Sequence, residues 1–321
     1  MLNRCLQFEL WYECNNKCTF CYNNGSLDHT PDEIKLRNLQ AIIDKISDLS
    51  IYKDYDKLSY LGGEFFQGQM KNPEVKAKFM ELMDKTNWLL QEGYIKSIWL
   101  YATMTIGDQK DLYETMEKFK FKKGQFWILT SYDTIGRFHA PKMEETWKYH
   151  MKHLHELYPE LLFNTTIILT GDTIKKYLAG AFSFKDFMKE YNTALFLKYP
   201  WLPGNFNSKK KFNKVLPDFF STRDAALAFF RKFRTEESPE LWDKLYNFKY
   251  RAAVCMKNSN DDSKVMVSNV RDQEHSVEYE GDISNAEVNK NCGHLLSCQC
   301  YVDSDACWAC DKQQIEDLIQ E

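Results

Sequence analysis

The stretch Leu6-Gln-Phe-Glu-Leu-Trp-Tyr-Glu-Cys14-Asn-Asn-Lys-Cys18-Thr-Phe20-Cys21-Tyr22 opens the chain. Its apolar and aromatic part, Leu6–Tyr12, predicts a strand. Three cysteines follow at once, spaced C-x3-C-x2-C, with an aromatic residue directly before the last. Three thiolates on one short loop can ligate three irons of a cubane cluster, which leaves the fourth iron open to a small molecule. A bacterial ferredoxin run uses C-x2-C-x2-C with a further cysteine close by, and this stretch does not match it. A structural zinc site more often shows two close cysteine pairs, or a pair with histidines.

Outward from this loop the chain alternates strand and helix patterns. Thr30–Leu49 places Ile34, Leu39, Ile42, Ile43 and Ile46 on one helical face; Asp28 or Thr30 is placed to cap it, and Pro31 suits a first turn. Lys57–Leu61 reads as a strand ending in Gly62-Gly63, and Glu74–Gln91 as a helix. Ile95–Thr103, Phe126–Ser131, Leu161–Thr170 and Thr193–Lys198 read as further strands, separated by helices at Asp108–Phe119, Lys142–Tyr158 and Phe184–Tyr191. Six strands alternating with helices predict parallel βαβ units wound in one sense, as an open sheet or a partial barrel. In either arrangement the site belongs on loops at the carboxyl ends of the strands, which is where the cysteine loop falls.

With the strand before it and the loop chemistry in place, Cys14, Cys18, Phe20 and Cys21 resemble the signature of the radical S-adenosylmethionine (radical SAM) superfamily. The resemblance implies a partial (β/α)6 TIM-like barrel over residues 1–200, with a [4Fe–4S] cluster on Cys14, Cys18 and Cys21 and SAM on its open iron. Gly62-Gly63-Glu64 resembles the family's glycine-rich stretch beside the methionine amino group of SAM, although Phe65 stands where many members have Pro. Ser131, Asp133 and Arg137 resemble the strand-four motif of peptide-modifying members, near the SAM ribose and carboxylate. Phe20, Gly62, Gly63, Glu64, Ser131, Asp133 and Arg137 are therefore the expected cofactor-binding residues. Asn164 and Thr166 share a face of the fifth strand and are placed to contact SAM or substrate. The implied reaction is one-electron cleavage of SAM to methionine and a 5′-deoxyadenosyl radical, which takes a hydrogen atom from substrate. An electron donor such as flavodoxin or ferredoxin is the implied partner.

The ten cysteines fall into two groups, four up to Cys21 and six from Cys255 onward, with none in the more than 200 residues between. Such clustering predicts a second metal region. Cys292, Cys298, Cys300, Cys307 and Cys310 crowd the tail, with Cys255 ahead of a hairpin pattern at Lys264–Val270 and His275–Tyr279. The tail resembles the SPASM/twitch extension of radical SAM enzymes, but its C-x-C-x6-C-x2-C run departs from the SPASM spacing. That implies one auxiliary [4Fe–4S] cluster rather than two, with a structural zinc as the alternative. Cys298, Cys300, Cys307 and Cys310 are the first choice of ligands, and Cys255 and Cys292 the alternates. Residues 201–253 read as a linker and helices packing on the barrel, including Ser221–Arg234 with Ala226, Phe229, Phe230 and Phe233 on one face, and Leu241–Ala253; residues 254–321 form the cysteine-rich subdomain, closed by a helix at Lys312–Ile319.

Composition narrows the partners. A net charge of −4 over 321 residues argues against a broad nucleic-acid surface. No run approaches the ~18 apolar residues of a membrane span, and Arg4, Glu9 and Glu13 interrupt any signal-peptide pattern at the start. The expectation is a cytoplasmic enzyme, where clustered cysteines bind metal rather than pair. The SPASM-like tail points to a peptide or protein substrate. A nucleoside or nucleic-acid substrate is the alternative within the class, and a non-catalytic iron–sulfur or zinc protein for interaction or electron transfer is the alternative outside it. The latter predicts that Gly62–Glu64 and Ser131–Arg137 do not converge on the first cluster. His150, His153 and His155 lie on a predicted amphipathic helix without metal-ligand spacing.

Overall fold

The computed structural model describes residues 5–11, 13–18, 30–53, 55–133, 137–138, 140–169, 171–198 and 223–242. Six strands are ordered β1 (Cys5–Glu9), β2 (Lys57–Leu61), β3 (Ser97–Tyr101), β4 (Phe126–Tyr132), β5 (Leu162–Ile168) and β6 (Thr193–Lys198), and every neighbouring pair is parallel. The helices are α1 (Asp32–Ser47), α2 (Pro73–Gln91), α3 (Lys110–Glu117), α4 (Pro141–Leu157), α5 (Gly171–Leu178), α6 (Phe184–Glu190) and α7 (Arg223–Glu236). Strand order equals chain order. With crossovers of one hand, that order puts the helices on one face of the sheet and curls it, whereas a doubly wound sheet must reverse direction in the middle. The architecture is thus the partial barrel.

Side-chain alternation gives each face its role. Tyr60 hydrogen-bonds Thr86 on α2 at 2.6 Å, Thr130 accepts from Trp147 Nε1 on α4 at 3.0 Å, and Tyr132 donates to Glu144 on α4 at 2.6 Å. Leu58, Tyr60, Ile98, Leu100, Phe126, Ile128, Thr130 and Tyr132 therefore face the helices and are buried. The intervening residues face the concave side. There Trp99, Tyr101, Trp127, Ser131, Thr166 and Phe196 are half-buried, and Asn164 is buried. Lining up Cys5 with Lys57 on β2, and Lys57 with Ser97 on β3, brings the carboxyl ends of these strands to one rim.

Local chemistry explains most boundaries. Asn72 caps α2 by accepting the Glu74 amide at 2.9 Å, with Pro73 in the first turn, and Ser183 caps α6 by accepting from Asp186 at 3.3 Å. Thr30 does not cap α1. Pro31 itself is the N-cap, without a side-chain bond, and Asp28 lies outside the described residues. α5 and the 3-10 turn Leu49–Lys53 were not expected from the pattern. Both are short, and tertiary contacts sustain such elements better than their own propensity does. Tyr177 on α5 packs on Phe229 and Phe233 of α7 at 5.6 and 6.0 Å. Phe229, Phe230 and Phe233 are buried, as their shared face predicts, while Ala226's side chain is outside the described set. A helical turn at residues 239–242 follows. The expected linker at 201–213, the rest of Leu241–Ala253, the hairpin, the cysteine-rich tail and its helix lie outside the described residues. Among the described residues no helix is long and apolar enough to cross a membrane.

Candidate functional site

The loop after β1 is zipped to the loop after β2. Leu10 donates to the Leu61 carbonyl at 3.0 Å, Gly63 to the Trp11 carbonyl at 2.7 Å, and Glu64 to the Glu13 carbonyl at 2.9 Å. In return Trp11 Nε1 donates to the Glu64 carbonyl at 2.7 Å. Gly62 makes this approach possible: at φ +156° a Cβ there would stand 2.2 Å from the Trp11 carbonyl oxygen. The glycine that resembled a cofactor contact is thus required by the chain's own backbone.

Glu64 is also engaged within the chain. It is 1% exposed. Its Oε1 accepts the amides of Phe65 and Phe66, both at 2.9 Å, and its Oε2 accepts the Thr103 amide at 2.7 Å. Burial pushes its carboxyl pKa up, and those hydrogen bonds pull against the shift. Phe65 is buried on Trp11 and Phe79, at 5.3 and 6.1 Å.

Helix α1 braces the loop from outside the sheet. Asn38 Nδ2 donates to the Leu10 carbonyl at 3.1 Å. Buried Lys35 donates to the Gln69 carbonyl at 3.0 Å, pairs with Glu13 at 2.8 Å, and lies 5.6 Å from the Trp11 ring centroid. Glu13 directly precedes Cys14, so this cation fixes the point from which the cysteine loop departs.

Cys18 is buried and Cys14 half-buried. The Asn16 amide donates to Cys14 Sγ at 3.4 Å. Burial pushes the Cys14 thiol up to about 12, with the Glu64 charge adding to the rise; Cys18 acts in the same direction and the Arg137 guanidinium against it. Glu64, Cys18 and Arg137, on the loops after β2, β1 and β4, thus lie close enough to Cys14 for their charges to act on its thiol. Arg137 is 9% exposed, in a turn closed by the Phe138 amide on the Asp133 carbonyl at 3.2 Å and held by Phe138 against Tyr132 at 5.3 Å. Ser131 is half-buried on the concave face, in register with Thr166, and Asp133 is buried. Buried Asn164 shares that face, and its Oδ1 has no partner among the described residues.

Sequence reading missed a group of uncharged polar residues beneath the cysteine loop. Asn15 Nδ2 donates to the Gln67 carbonyl at 2.5 Å; Gln67 Nε2 donates to the hydroxyls of Thr103 at 2.5 Å and Thr105 at 2.8 Å; Thr105 donates to Asn16 Oδ1 at 2.8 Å. The available signal was placement alone, since each falls within a few residues of a strand's carboxyl end.

Phe20 and Cys21 lie outside the described residues, as do Cys255, Cys292, Cys298, Cys300, Cys307 and Cys310. Among the described residues no three His, Cys, Asp or Glu side chains come together to hold a metal. The part of the donor set that is described fits an iron–sulfur cluster. It consists of two soft sulfur atoms on one loop, an amide directed at one of them, and a buried guanidinium whose charge reaches that sulfur.

No family model matches the chain, and no curated protein matches it. Solved structures do resemble it. Native anSMEcpe with bound AdoMet and Cp18Cys peptide is 14% identical, with a TM-score of 0.47, over 99% of this chain and 96% of that one. Polyhistidine-tagged anSMEcpe with bound AdoMet is 16% identical, with a TM-score of 0.46, over 83% of this chain and 70% of that one. Native anSMEcpe with bound AdoMet is 15% identical, with a TM-score of 0.45, over 82% of this chain and 69% of that one. Likeness of that degree assigns no activity to this chain.

Proposed function

We propose that the chain is a radical SAM enzyme that takes a hydrogen atom from a peptide or protein side chain. The observation that carries the reading is the hydrogen-bonded union of the cysteine loop with the loop after β2, Gly63 to the Trp11 carbonyl and Glu64 to the Glu13 carbonyl, at the carboxyl rim of the sheet. In this reading Cys14, Cys18 and Cys21 hold a [4Fe–4S] cluster. When bound, that cluster supplies one electron to the sulfonium of SAM, which breaks a carbon–sulfur bond and gives methionine and a 5′-deoxyadenosyl radical.

The chain's own residues bind and orient. Arg137 presents a guanidinium fork suited to a carboxylate, such as that of the methionine end of SAM. Ser131 and Asp133 stand at the same strand end, for the ribose. Gly62, Gly63 and Glu64 act through shape: the close approach of Gly62 to Trp11, and the bonds of Gly63 and Glu64 to Trp11, Glu13 and Thr103, shape the floor proposed for the ligand. The concave side of the sheet is where the ligand is proposed to lie. There Trp99, Tyr101, Trp127 and Phe196 offer half-buried aromatic faces, a lining that suits an uncharged peptide better than a phosphate backbone. The SPASM-like tail supports the same substrate class. It is proposed to hold an auxiliary [4Fe–4S] cluster, with flavodoxin or ferredoxin as electron donor and the cytoplasm as compartment.

The test is 5′-deoxyadenosine formation. The full chain, reconstituted with iron and sulfide without oxygen, is given SAM and a strong reductant beside a Cys14→Ala/Cys18→Ala/Cys21→Ala variant. Release by the first and not by the second is expected. A loaded protein that neither releases 5′-deoxyadenosine nor binds SAM would refute the reading.

A further inference from the structure

We propose that Thr105 is a positioning residue for the cysteine loop, acting through Asn16. Its hydroxyl has one proton to give. It accepts from Gln67 Nε2 at 2.8 Å, so the proton goes to Asn16 Oδ1, also at 2.8 Å. Asn16 stands between Cys14 and Cys18 and its amide donates to Cys14 Sγ at 3.4 Å. One hydroxyl from the loop after β3 thus fixes the residue whose backbone bonds the cluster-forming thiol.

The rest of the segment is built to hold that hydroxyl still. Thr103 is bonded twice, its amide to Glu64 Oε2 at 2.7 Å and its hydroxyl to Gln67 Nε2 at 2.5 Å. Met104, between the two threonines, is fully buried and takes φ +56°, a conformation uncommon for a residue other than glycine. Such a backbone persists only where its surroundings over-determine it, and it concentrates at functional sites. The surroundings here are identifiable. Beyond Thr105 the Ile106 carbonyl accepts from His150 Nε2 on α4 at 3.1 Å and from Gln109 Nε2 at 3.3 Å. The segment is anchored to a helix on one side and presents Thr105 to Asn16 on the other. Asn16 and Thr105 are both buried, at 4% and 2% exposure, so water is a poor substitute for the bond.

Two consequences separate positioning from general stability. Loss of the hydroxyl frees the Asn16 side chain and with it the loop, so the Cys18 thiol becomes accessible while Cys5, at the start of β1, does not. With a cluster bound, a looser Asn16 weakens the amide's bond to the Cys14 sulfur. Hydrogen bonds to cluster sulfurs favour the reduced state, so the midpoint falls. The second consequence rests on the functional reading above; the first does not.

The experiment uses the full chain as wild type, Thr105→Val and Thr105→Ser. Before iron is added, alkylation by iodoacetamide is followed cysteine by cysteine with mass spectrometry. Thr105→Val is expected to react roughly tenfold faster at Cys18, with Cys5 unchanged and the serine variant restored. After reconstitution, EPR-monitored reductive titration is expected to give a lower midpoint for Thr105→Val and the wild-type midpoint for Thr105→Ser. An unchanged Cys18 rate overturns the proposal, as does equal acceleration at Cys5, which marks global loosening. An unchanged midpoint in a fully loaded valine variant overturns it too. If the wild type assembles no cluster while Thr105→Val still unlocks Cys18 alone, the functional reading fails and the positioning role stands.

Discussion

The carbonyl oxygen of Trp11 occupies the space that a side chain on Gly62 would need, 2.2 Å from the position of its Cβ. The contact is backbone to backbone, so no rotamer change relieves it. Through it the loops after β1 and β2 become one unit, and the cysteine loop inherits its starting direction from that unit.

Gly62→Ala is therefore expected to destabilise the protein by at least the roughly 1–3 kcal/mol typical of overpacking. Thermal unfolding checks this, with Gly107→Ala as control. A Cβ at Gly107 meets nothing within 4 Å, so that variant should unfold close to wild type.

Lys35 gives a second test. Removing one partner of a buried ion pair costs about 3–5 kcal/mol, mostly through the charge left behind. Lys35 is 2% exposed but Glu13 is 21% exposed and keeps some water, so Lys35→Met should fall toward the lower end. Adding Glu13→Gln should recover part of the loss. Urea unfolding of the two variants measures both changes, and a double variant no more stable than Lys35→Met would contradict the ion-pair account.

Two histidines set a pH dependence. His150 Nε2 donates to the Ile106 carbonyl at 3.1 Å, so Nδ1 accepts from Tyr113 at 2.8 Å; His155 Nε2 donates to the Tyr191 carbonyl at 2.9 Å. Burial lowers the pKa of both. Above the ordinary histidine value of about 6.5 both states are neutral and the stability is intact. As pH falls through that value the unfolded chain takes up protons first, and stability is lost until the folded imidazoles titrate. The melting temperature should drop as pH is lowered from about 7.5 to about 5.5, and a His150→Gln variant should show a shallower drop. An equal slope in both would remove His150 from the explanation.

Glu237 caps α6 from beyond the end of α7, accepting the amides of Phe184 at 3.3 Å and Lys185 at 3.0 Å. Glu237→Ala should cost about 1–2 kcal/mol, in the range of lost caps. Hydrogen exchange should quicken at the Phe184 and Lys185 amides, with little change in β1–β3. Uniform quickening would show that the residue acts on the whole fold instead.

Metal content separates the two proposed metal regions. Two cubane clusters would give roughly eight irons per chain after reconstitution. Replacing Cys298, Cys300, Cys307 and Cys310 with Ala should halve that number while 5′-deoxyadenosine formation without substrate persists. Zinc in the wild type, with about four irons, would assign the tail to the structural alternative.

The elements themselves were legible because strand and helix periods are local. Lys57–Leu61 and Thr193–Lys198 appear with the predicted ends, and the other four strands shift by a few residues. The spacing of the three clustered cysteines is likewise a property of neighbours in the chain, and it is what the proposed cluster rests on. Tertiary structure alone decided the rest. Whether six βα units make a doubly wound sheet or a partial barrel depends on strand order, which no local pattern carries. α5 is only eight residues long and is sustained by α7, from a distant part of the chain. That the Glu64 carboxylate accepts the chain's own amides of Phe65, Phe66 and Thr103 could be read only from the folded structure. Thr105 and Asn16 are 89 residues apart, and neither is unusual in its own stretch. What joins them is burial at a common rim, where each polar group must find a partner inside the protein, and that partner is set by the fold rather than by the neighbouring sequence.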